Sequence, residues 1–402
     1  MTHAACTIVS FNYLHYARVL CASFRKHHPD AKFYVLLVDR LPQDFDPTNE
    51  PFEFVLVEDL GIPNFPSIAF KYDVLELNTN VKPTFLKSLL DKGNDQVVYL
   101  DPDIFIYRAL DPVFRALEQH SIVLTPHVVF PHPNDHGLSE LSQLKNGIYN
   151  LGFIAVRKDP EAARFLSWWE DRCLHYAYAA PQSFMFVDQK WIDFAPCFFT
   201  SIGLLKHQGC NVAYWNLYER CISGTNGNWI VNNRDPLVFY HFSGIRIDGG
   251  DRISKHMEAS NLSNRPDLRP LFEAYRRSLS EQAIQSASSH RYAFGAFDNG
   301  SPIAPLARWL YAANLERFQG DNPFASSSEF YAWARAKGAI RSGGSPGVAS
   351  KSQRSDSDTR FLFTNGLLRL ALRVFGPDRY MLLIKYLSYV IVVENQKIVL
   401  GD

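Results

Sequence analysis

The chain has 402 residues, 47% of them apolar and 20% charged, and its formal net charge is zero. This composition predicts a globular protein with one large domain or two of ordinary size, and the lack of net positive charge argues against a dedicated nucleic-acid binder. The N-terminal stretch lacks a basic segment followed by an apolar core, and no uncharged apolar run reaches the ~18 residues of a membrane span, so we expect a cytoplasmic protein.

The first ninety residues predict strands and helices in alternation. A strand at Ala5–Ser10, a helix at Tyr16–His27 and a strand at Lys32–Asp39 form a βαβ unit, which is right-handed by default. A third strand is expected at Phe54–Val57, and a helix in two pieces over Phe70–Leu90, interrupted near Asn78–Pro83. No G-x-G-x-x-G motif occupies the first turn, so the usual dinucleotide-binding fingerprint is absent.

A pair of carboxylates ends the next predicted strand. Val97–Leu100 shows no alternation of apolar and polar residues, which is typical of a strand buried on both faces. Pro102 stops that strand and leaves Asp101 and Asp103 at its carboxyl end, where open α/β sheets bind ligands. Two hard oxygen ligands suit Mg²⁺ or Mn²⁺, with a diphosphate completing the coordination. Asp-Pro-Asp is also an ordinary turn sequence, and that interpretation stays open here.

The following segment predicts further strands and one long loop. Ser121–Thr125 is a predicted strand, and the loop Pro126–Leu141 is long enough to be functional. The next strand is entered through Asn150 and Gly152, which allow a backbone to approach a ligand closely. Later elements are a helix at Pro160–His175, a helix opening at Val187–Trp191, and strands at Val212–Asn216 and Leu237–Phe242.

Five motifs in this order resemble the retaining glycosyltransferases of the GT-A fold. They are LDPD ending at Asp103, YNLGFIAV from Tyr149, VDQKW from Val187, YWN from Tyr214 and HFSG from His241. The pattern is most similar to glycosyltransferase family 8, which includes glycogenin and lipopolysaccharide galactosyltransferases, and it extends over roughly residues 5–255. The resemblance implies an α/β fold with a mixed, mostly parallel sheet flanked by helices and a helical C-terminal extension.

The resemblance also implies a domain plan. Residues 1–260 would form the GT-A catalytic domain, and 261–340 a helical extension packed on it. Residues 341–360 are rich in Ser and Gly and predict a flexible linker, and 361–402 form an apolar, basic tail.

Roles for individual residues follow from the resemblance alone. Asp101, Asp103 and His241 would ligate Mn²⁺ or Mg²⁺, and a nucleoside-diphosphate sugar would be the donor substrate. Asn150 and Asp188 would act at the reaction centre. The remaining expected donor contacts are Phe11, Asn12, Tyr13 and Asp39 for base and ribose, Gly152 and Gln189 beside the sugar, and Gly244 and Arg246 near the diphosphate.

Two positions depart from the family pattern. The third motif is Asp188-Gln189-Lys190, so one expected carboxylate is missing. The family's diphosphate-binding lysine would fall at Ile247, and Arg246 or Lys255 is the candidate replacement.

The expected activity is metal-dependent transfer of a sugar to a glycan, glycolipid or protein acceptor, with retention, in polysaccharide biosynthesis. One alternative is a sugar-1-phosphate nucleotidyltransferase, although a Gly-rich basic loop is missing after the first strand. The other is a non-catalytic protein of the same fold that binds sugar nucleotides or glycans.

The tail allows two interpretations. Phe361–Phe375 combines an apolar helical stripe with Arg369 and Arg373, and Met381–Val393 adds a second apolar stretch with Lys385. Such a segment is suited to lie on an anionic inner leaflet, which would make the protein peripheral to the membrane through residues 361–393. It is equally suited to dock on its own catalytic domain or on a second copy.

Overall fold

The structure is a computed structural model that describes residues 2–225, 227–283, 290–340 and 359–390. The chain divides into two compact units, the first made of residues 1–65 and 74–293 and the second of 66–73 and 294–402. The predicted linker falls almost wholly on residues 341–358, which lie outside the described part, as do residues 391–402 of the tail. The predicted domain boundaries at 260 and 340 stay predictions.

The elements have the following bounds. The strands are β1 (His3–Val9), β2 (Lys32–Leu37), β3 (Glu53–Leu56), β4 (Gln96–Leu100), β5 (Ile104–Ile106), β6 (Ile122–Pro126), β7 (Tyr149–Arg157), β8 (Ala179–Ala180), β9 (Met185–Phe186), β10 (Ile202–Leu204), β11 (Ile222–Thr225), β12 (Asn228–Val231), β13 (Asp235–Pro236), β14 (Phe239–His241), β15 (Arg252–Ser254) and β16 (Met257–Asn261). The helices are α1 (Leu14–Arg25), α2 (Phe65–Lys71), α3 (Val74–Asn80), α4 (Lys82–Asp91), α5 (Asp111–Gln119), α6 (Leu138–Asn146), α7 (Pro160–His175), α8 (Ala195–Phe198), α9 (Arg269–Glu281), α10 (Pro305–Ala313), α11 (Glu329–Ala336) and α12 (Thr359–Val390).

Seven strands form the central sheet of the first unit, in the order β10-β6-β7-β4-β1-β2-β3. Every neighbouring pair is parallel except those of β7, which runs antiparallel to both β4 and β6. The predicted fold class, a mixed and mostly parallel sheet flanked by helices, is therefore confirmed. The chain lays β2 and β3 on one side of β1 and β4 on the other, so the carboxyl ends of β1 and β4 border a topological switch point, where such sheets bind ligands.

The sheet is held by apolar side chains that the sequence places at regular intervals. All five residues of β4 are buried, as its lack of alternation predicts. Helix α1 presents Leu14, Ala17, Cys21 and Phe24 to the same core at helical spacing. Full burial of a leucine or phenylalanine side chain contributes about 1.5–3 kcal/mol, so this core stabilises the sheet edge on which the site is built.

A separate pair of strands brings a late histidine to that edge. Strand β14 pairs antiparallel with β5, and His241 lies opposite Ile104. The backbone N–H of Phe242 donates to the carbonyl of Asp103 at 2.8 Å. Successive side chains of a strand point to opposite faces, and the Phe242 ring stacks on Tyr275 of α9 with centroids 4.0 Å apart. His241 consequently faces the other way, toward the carboxylates.

Several local predictions were wrong. Tyr214–Asn216 is a 3₁₀ helix rather than a strand, because the Asn216 side chain accepts from Ala213 N and donates to the carbonyl of His127, both at 3.0 Å. The helix predicted in two pieces over 70–90 starts too early, since residues 70 and 71 end α2, but its two pieces correspond to α3 and α4 with the break at Val81. The expected loop at 126–141 already enters α6 at Leu138.

The second unit is built around Phe70 and a set of aromatic rings. Phe70 is fully buried, and the rings of Phe297, Tyr311, Phe324 and Phe330 lie 5.0–5.6 Å from it. Arg308 of α10 donates to the carbonyls of Ala69, Phe70 and Tyr72 at 2.6–3.2 Å and to that of Phe294 at 2.7 Å. The guanidinium thus satisfies carbonyls at the end of α2, which has no further turn to accept from.

Helix α12 closes the described part of the chain. It bends at Gly376, whose φ is 75°, immediately before Pro377. Within residues 2–225, 227–283, 290–340 and 359–390, no helix combines the length and apolar character needed to cross a membrane.

Candidate functional site

Three predicted metal ligands meet at the switch point. Asp101 and Asp103 follow β4, and His241 ends β14. The Nε2 atom of His241 lies 3.0 Å from Asp103 Oδ1 and 3.7 Å from Asp101 Oδ2. One ligand atom from each of the three residues lies within 4.8 Å of the others. Two half-buried carboxylates and a buried imidazole form a donor set that suits Mn²⁺, and also Mg²⁺ through the carboxylates.

Charge and burial act in opposite directions on His241. Burial alone would lower the pKa of the imidazole, but the carboxylates of Asp103 and Asp101 outweigh it, and the net pKa lies above the usual value. Its Nδ1 atom is buried and has no hydrogen-bond partner among the described residues. The side chain is oriented instead by packing, since the Trp215 ring meets it edge-on at 5.2 Å.

The backbone of Gly152 lies directly against these three ligands. Asp101 N donates to the carbonyl of Gly152 at 2.7 Å. A Cβ atom at this position would lie 2.4 Å from His241 Cε1, 2.8 Å from Asp101 Oδ2 and 2.9 Å from Asn150 Oδ1. Glycine is therefore required here for close packing rather than for an unusual backbone conformation.

Asp188 is buried in an ion pair that the sequence did not predict. Its Oδ2 atom lies 2.7 Å from Lys82 Nζ, and each residue is only 1% exposed. Lys82 also donates to the carbonyl of Leu151 at 2.8 Å. Burial raises the pKa of the Asp188 carboxyl to about 6, although the lysine acts to lower it.

Tyr99 joins this ion pair to the metal ligands. Lys82 Nζ lies 4.4 Å from the centroid of the Tyr99 ring, and the Tyr99 hydroxyl donates to Asp101 Oδ1 at 2.7 Å. A continuous set of contacts therefore runs from Asp101 through Tyr99 and Lys82 to Asp188. The one sequence signal for Lys82 is its place in the break predicted between the two helical pieces of residues 70–90.

Asn150 and Gln189 are held by other polar groups of the same region. Gln189 accepts from Leu151 N at 3.0 Å and donates to the carbonyl of Asn146 at 2.9 Å, so its amide ties the loop after β9 to β7. Asn150 lies between His127 Nε2 at 3.3 Å and Asn211 Nδ2 at 3.0 Å. Sequence reasoning missed both neighbours, because nothing local marks a histidine in a loop as the partner of a strand residue.

The expected nucleotide contacts are only partly accessible. Phe11 is part of the core, whereas Asn12 and Tyr13 are exposed at the end of β1. Asp39 is 3% exposed, and its two oxygens accept from the backbone N–H groups of Phe11, Arg40 and Ala293 at 2.8–3.2 Å. His290 Nε2 lies a further 3.4 Å from Asp39 Oδ2. The carboxylate thus anchors residues 290–293 to the edge of the sheet.

The two expected diphosphate contacts lie after β14. Gly244 has a φ of 74°, and a Cβ there would lie 2.5 Å from Ser254 Oγ. Arg246 is exposed, and its guanidinium pairs with Asp248 at 2.6 Å rather than with Asp101 or Asp103. The structure therefore brings Gly244 to the end of β14 but leaves Arg246 at the surface.

Comparisons with known proteins give the following similarities. No family model matches the chain. The chain is 28% identical over 292 residues to YfnF of Bacillus subtilis strain 168, described as an uncharacterized protein, and the alignment covers 69% of this chain and 92% of YfnF. It is 24% identical over 248 residues to YfnD of the same organism, also described as uncharacterized, covering 60% of this chain and 77% of YfnD.

Similar solved structures are glycosyltransferases, the class that the sequence motifs resemble. The galactosyltransferase LgtC, solved with donor and acceptor sugar analogues, is 13% identical with a TM-score of 0.40, covering 69% of this chain and 95% of LgtC. GlyE of Streptococcus pneumoniae TIGR4 is 14% identical with a TM-score of 0.41, covering 78% and 73%. Mouse xyloside xylosyltransferase 1 is 12% identical with a TM-score of 0.36, covering 60% and 97%.

Proposed function

We propose that this chain is a metal-dependent glycosyltransferase that moves a sugar from a nucleoside-diphosphate donor to a glycan, glycolipid or protein acceptor. The observation that carries the proposal is the meeting of Asp101, Asp103 and His241 at the switch point of the sheet. Carboxylates held this close repel one another unless a cation lies between them, and a nucleotide diphosphate at the same edge would share that cation.

The residues around the site would have separate roles in binding the metal ion and the donor. Asp101, Asp103 and His241 would hold Mn²⁺ or Mg²⁺, which when bound neutralises negative charge on the departing diphosphate. Tyr99 fixes the Asp101 carboxylate by donating to one of its oxygens. Asn12 and Tyr13, at the carboxyl end of β1, would contact the base and ribose. Asn150 would contact the donor sugar, and the buried Asp188, held by Lys82, would act on it through its charge.

Retention of configuration is part of the proposal. An inverting enzyme needs a carboxylate base within reach of the acceptor hydroxyl. Asp188 is poorly suited to that role, because it is 1% exposed and already paired with Lys82. The acceptor proton would pass to the departing diphosphate, and Asp188 would stabilise positive charge on the sugar.

The experiment is donor hydrolysis with and without Mn²⁺ in wild-type protein and in Asp103→Ala. A thermal-shift screen of nucleotide sugars with Mn²⁺ first names the donor, since a ligand that binds only the folded state raises its stability. The variant is expected to lose at least about 100-fold in activity, because it removes a metal ligand. Asp59→Ala, at an exposed carboxylate, is the matched control.

Other outcomes would favour the alternatives. Unchanged turnover in Asp103→Ala contradicts the metal-dependent mechanism. Formation of pyrophosphate from a nucleoside triphosphate and a sugar 1-phosphate identifies a nucleotidyltransferase. Binding of a nucleotide sugar without any turnover identifies a binding protein.

We further propose that α12 places the protein on an anionic membrane surface, where polysaccharide biosynthesis would supply a lipid-linked acceptor. Large apolar side chains of this helix are exposed, with Val374 and Leu382 each 65% accessible. The exposed cations Arg373, Arg379 and Lys385 lie among them. Apolar side chains with interspersed cations complement an anionic lipid surface better than they complement water.

A further inference from the structure

Buried polar side chains beside the metal ligands form a series of hydrogen bonds, and one histidine determines which group donates and which accepts. His127 follows β6 and is 7% exposed. Its Nδ1 atom lies 3.1 Å from the carbonyl oxygen of Ile148, and its Nε2 atom lies 3.3 Å from Asn150 Nδ2. Asn150 Oδ1 in turn accepts from Asn211 Nδ2 at 3.0 Å. None of these contacts is needed to hold a metal ion.

The tautomer of His127 follows from its partners. A carbonyl oxygen only accepts hydrogen bonds, so the ring nitrogen facing Ile148 must carry a proton. Burial lowers the pKa of this imidazole to about 4, so the ring is neutral near pH 7. A neutral imidazole with a proton on Nδ1 has a lone pair on Nε2, which can only accept.

The tautomer fixes the direction of the Asn150 amide. Because His127 Nε2 accepts, the amide must turn its NH₂ group toward the histidine and its oxygen toward Asn211. In the reversed orientation, the lone pairs of Asn150 Oδ1 would face the lone pair of His127 Nε2, and no hydrogen bond could form. The same oxygen lies 2.9 Å from the point where a Gly152 Cβ would stand, and Asp101 Oδ2 lies 2.8 Å from that point. The histidine therefore directs a hydrogen-bond acceptor toward the metal ligands.

We infer that His127 is a positioning residue that sets donor-sugar discrimination through Asn150. This inference rests on the proposed function and names the chemistry of its sugar site. With the amide oxygen facing the site, Asn150 accepts from a sugar hydroxyl and favours a donor that presents O–H there. A site built to pair with a hydroxyl discriminates strongly against an epimer that leaves it unpaired.

Two variants separate positioning from packing. His127→Leu retains bulk but removes both polar contacts, whereas His127→Gln keeps a donor for Ile148 and an acceptor for Asn150. The kinetic readout is the ratio of kcat/KM for the best nucleotide sugar to that for its C4 epimer, chosen among the UDP-, GDP- and dTDP-hexoses. The dissociation constant of the matching nucleoside diphosphate with Mn²⁺ is measured beside it.

His127→Leu is expected to lower the epimer ratio by about tenfold while nucleoside-diphosphate affinity changes less than about twofold, and His127→Gln is expected to restore most of the ratio. An unchanged ratio in His127→Leu overturns the inference. The inference is also overturned if His127→Leu loses nucleotide affinity and turnover equally and His127→Gln restores neither, because a residue with a purely structural role would behave in this way.

A second measurement does not depend on turnover. In ¹⁵N-histidine spectra of the wild-type protein, His127 is expected to show the Nδ1–H tautomer and to remain neutral between pH 5.5 and 8. The opposite tautomer overturns the inference even if sugar transfer is found. If His127 shows the expected tautomer but no sugar donor is turned over, the proposed function and the sugar discrimination are wrong. The orientation of the Asn150 amide would still be correct.

Discussion

Gly152 is the residue at which the site tolerates least change. Alanine would place a Cβ 2.4 Å from His241 Cε1 and 2.8 Å from Asp101 Oδ2, so both ligands must move to accept it. We expect Gly152→Ala to weaken Mn²⁺ binding by about 10–100-fold, the usual cost of disturbing the groups that orient metal ligands. Isothermal titration with Mn²⁺ measures this directly.

Gly366→Ala is the matched control, because a Cβ there meets no atom within 4 Å and the backbone needs no left-handed φ. Circular dichroism checks that both variants are folded. Equal Mn²⁺ affinity in Gly152→Ala and wild type would contradict the proposed ligand set.

The Lys82–Asp188 pair predicts an unusual pH dependence of stability. Burial raises the folded-state pKa of Asp188 from 3.8 to about 6. Because the Asp188 carboxyl holds its proton more tightly in the folded chain, its protonation stabilises the fold. This contribution is complete at pH values below the pKa of the unfolded chain and is lost as pH rises through about 6. The stability of wild type relative to Lys82→Met/Asp188→Leu should therefore fall by about 1 kcal/mol from pH 5 to pH 7.5.

Urea unfolding at the two pH values tests this sign. Lys87→Met/Glu170→Leu removes a more exposed pair, which joins the same helix α4 to α7 with Nζ and Oε2 2.9 Å apart, and is the control. If the difference in free energy of unfolding between wild type and the Lys82/Asp188 double variant grows with pH, then the lysine, rather than burial, determines the pKa of the Asp188 carboxyl.

Residue-scale prediction from sequence succeeded where the signal is local. Pro102 must end a strand, so two carboxylates at the end of β4 could be predicted from a few letters. Lys82, His127 and Asn211 were missed because each acquires its role from a partner distant in sequence; His127 and Asn150, for example, are 23 positions apart. Asp39 was expected at the ribose, but its oxygens are already used by backbone N–H groups.

Elements were predictable where apolar periodicity alone determines them. Strands β1, β2 and β4 and helix α7 lie close to their predicted bounds. The 3₁₀ helix at Tyr214–Asn216 was mistaken for a strand, because its aromatic residues favour strands while the Asn216 side chain imposes a turn. In the described part of the chain, strands β11 to β13 pair with one another in a separate small sheet, and sequences of two to four residues carry little signal.

Helix α12 carries the prediction that belongs to the element scale. We expect the full chain to sediment with vesicles containing phosphatidylglycerol at low salt and to be released at about 0.5 M salt, because screening weakens attraction to the surface. Arg373→Glu/Arg379→Glu/Lys385→Glu should abolish sedimentation. The control, Lys26→Glu/Lys92→Glu/Lys206→Glu, reverses three exposed cations elsewhere and should still bind.

Wild-type protein that stays in the supernatant at low salt would refute the membrane contact. If the protein then elutes as a dimer, and the charge reversals leave the dimer intact, the exposed apolar side chains of α12 serve contact between copies instead.

At the scale of the whole molecule, Arg308 decides the integrity of the second unit. Its guanidinium donates to four carbonyl oxygens from two separate stretches of chain. Arg308→Leu would leave these buried acceptors without their cation, at a cost of about 3–5 kcal/mol. We expect thermolysin to cut residues 294–340 of the variant under conditions that leave wild type intact.

Arg335→Leu, at an exposed position of α11, is the control for loss of an arginine in the same unit. Equal resistance of Arg308→Leu and wild type to thermolysin would show that the carbonyls find other donors.

The second unit also has a consequence for biosynthesis. The two parts of the second unit, residues 66–73 and residues from 294 onward, are separated by 220 residues of chain. The later part supplies the rings around Phe70 and the guanidinium that caps α2. At roughly 5–20 residues per second, translation leaves the earlier part without those partners for roughly 10–45 s. The nascent chain must therefore carry an unfinished apolar segment through the synthesis of four of the seven strands of the central sheet, β4, β6, β7 and β10. A ribosome that stalls before residue 294 releases a product with Phe70 still uncovered by its own unit.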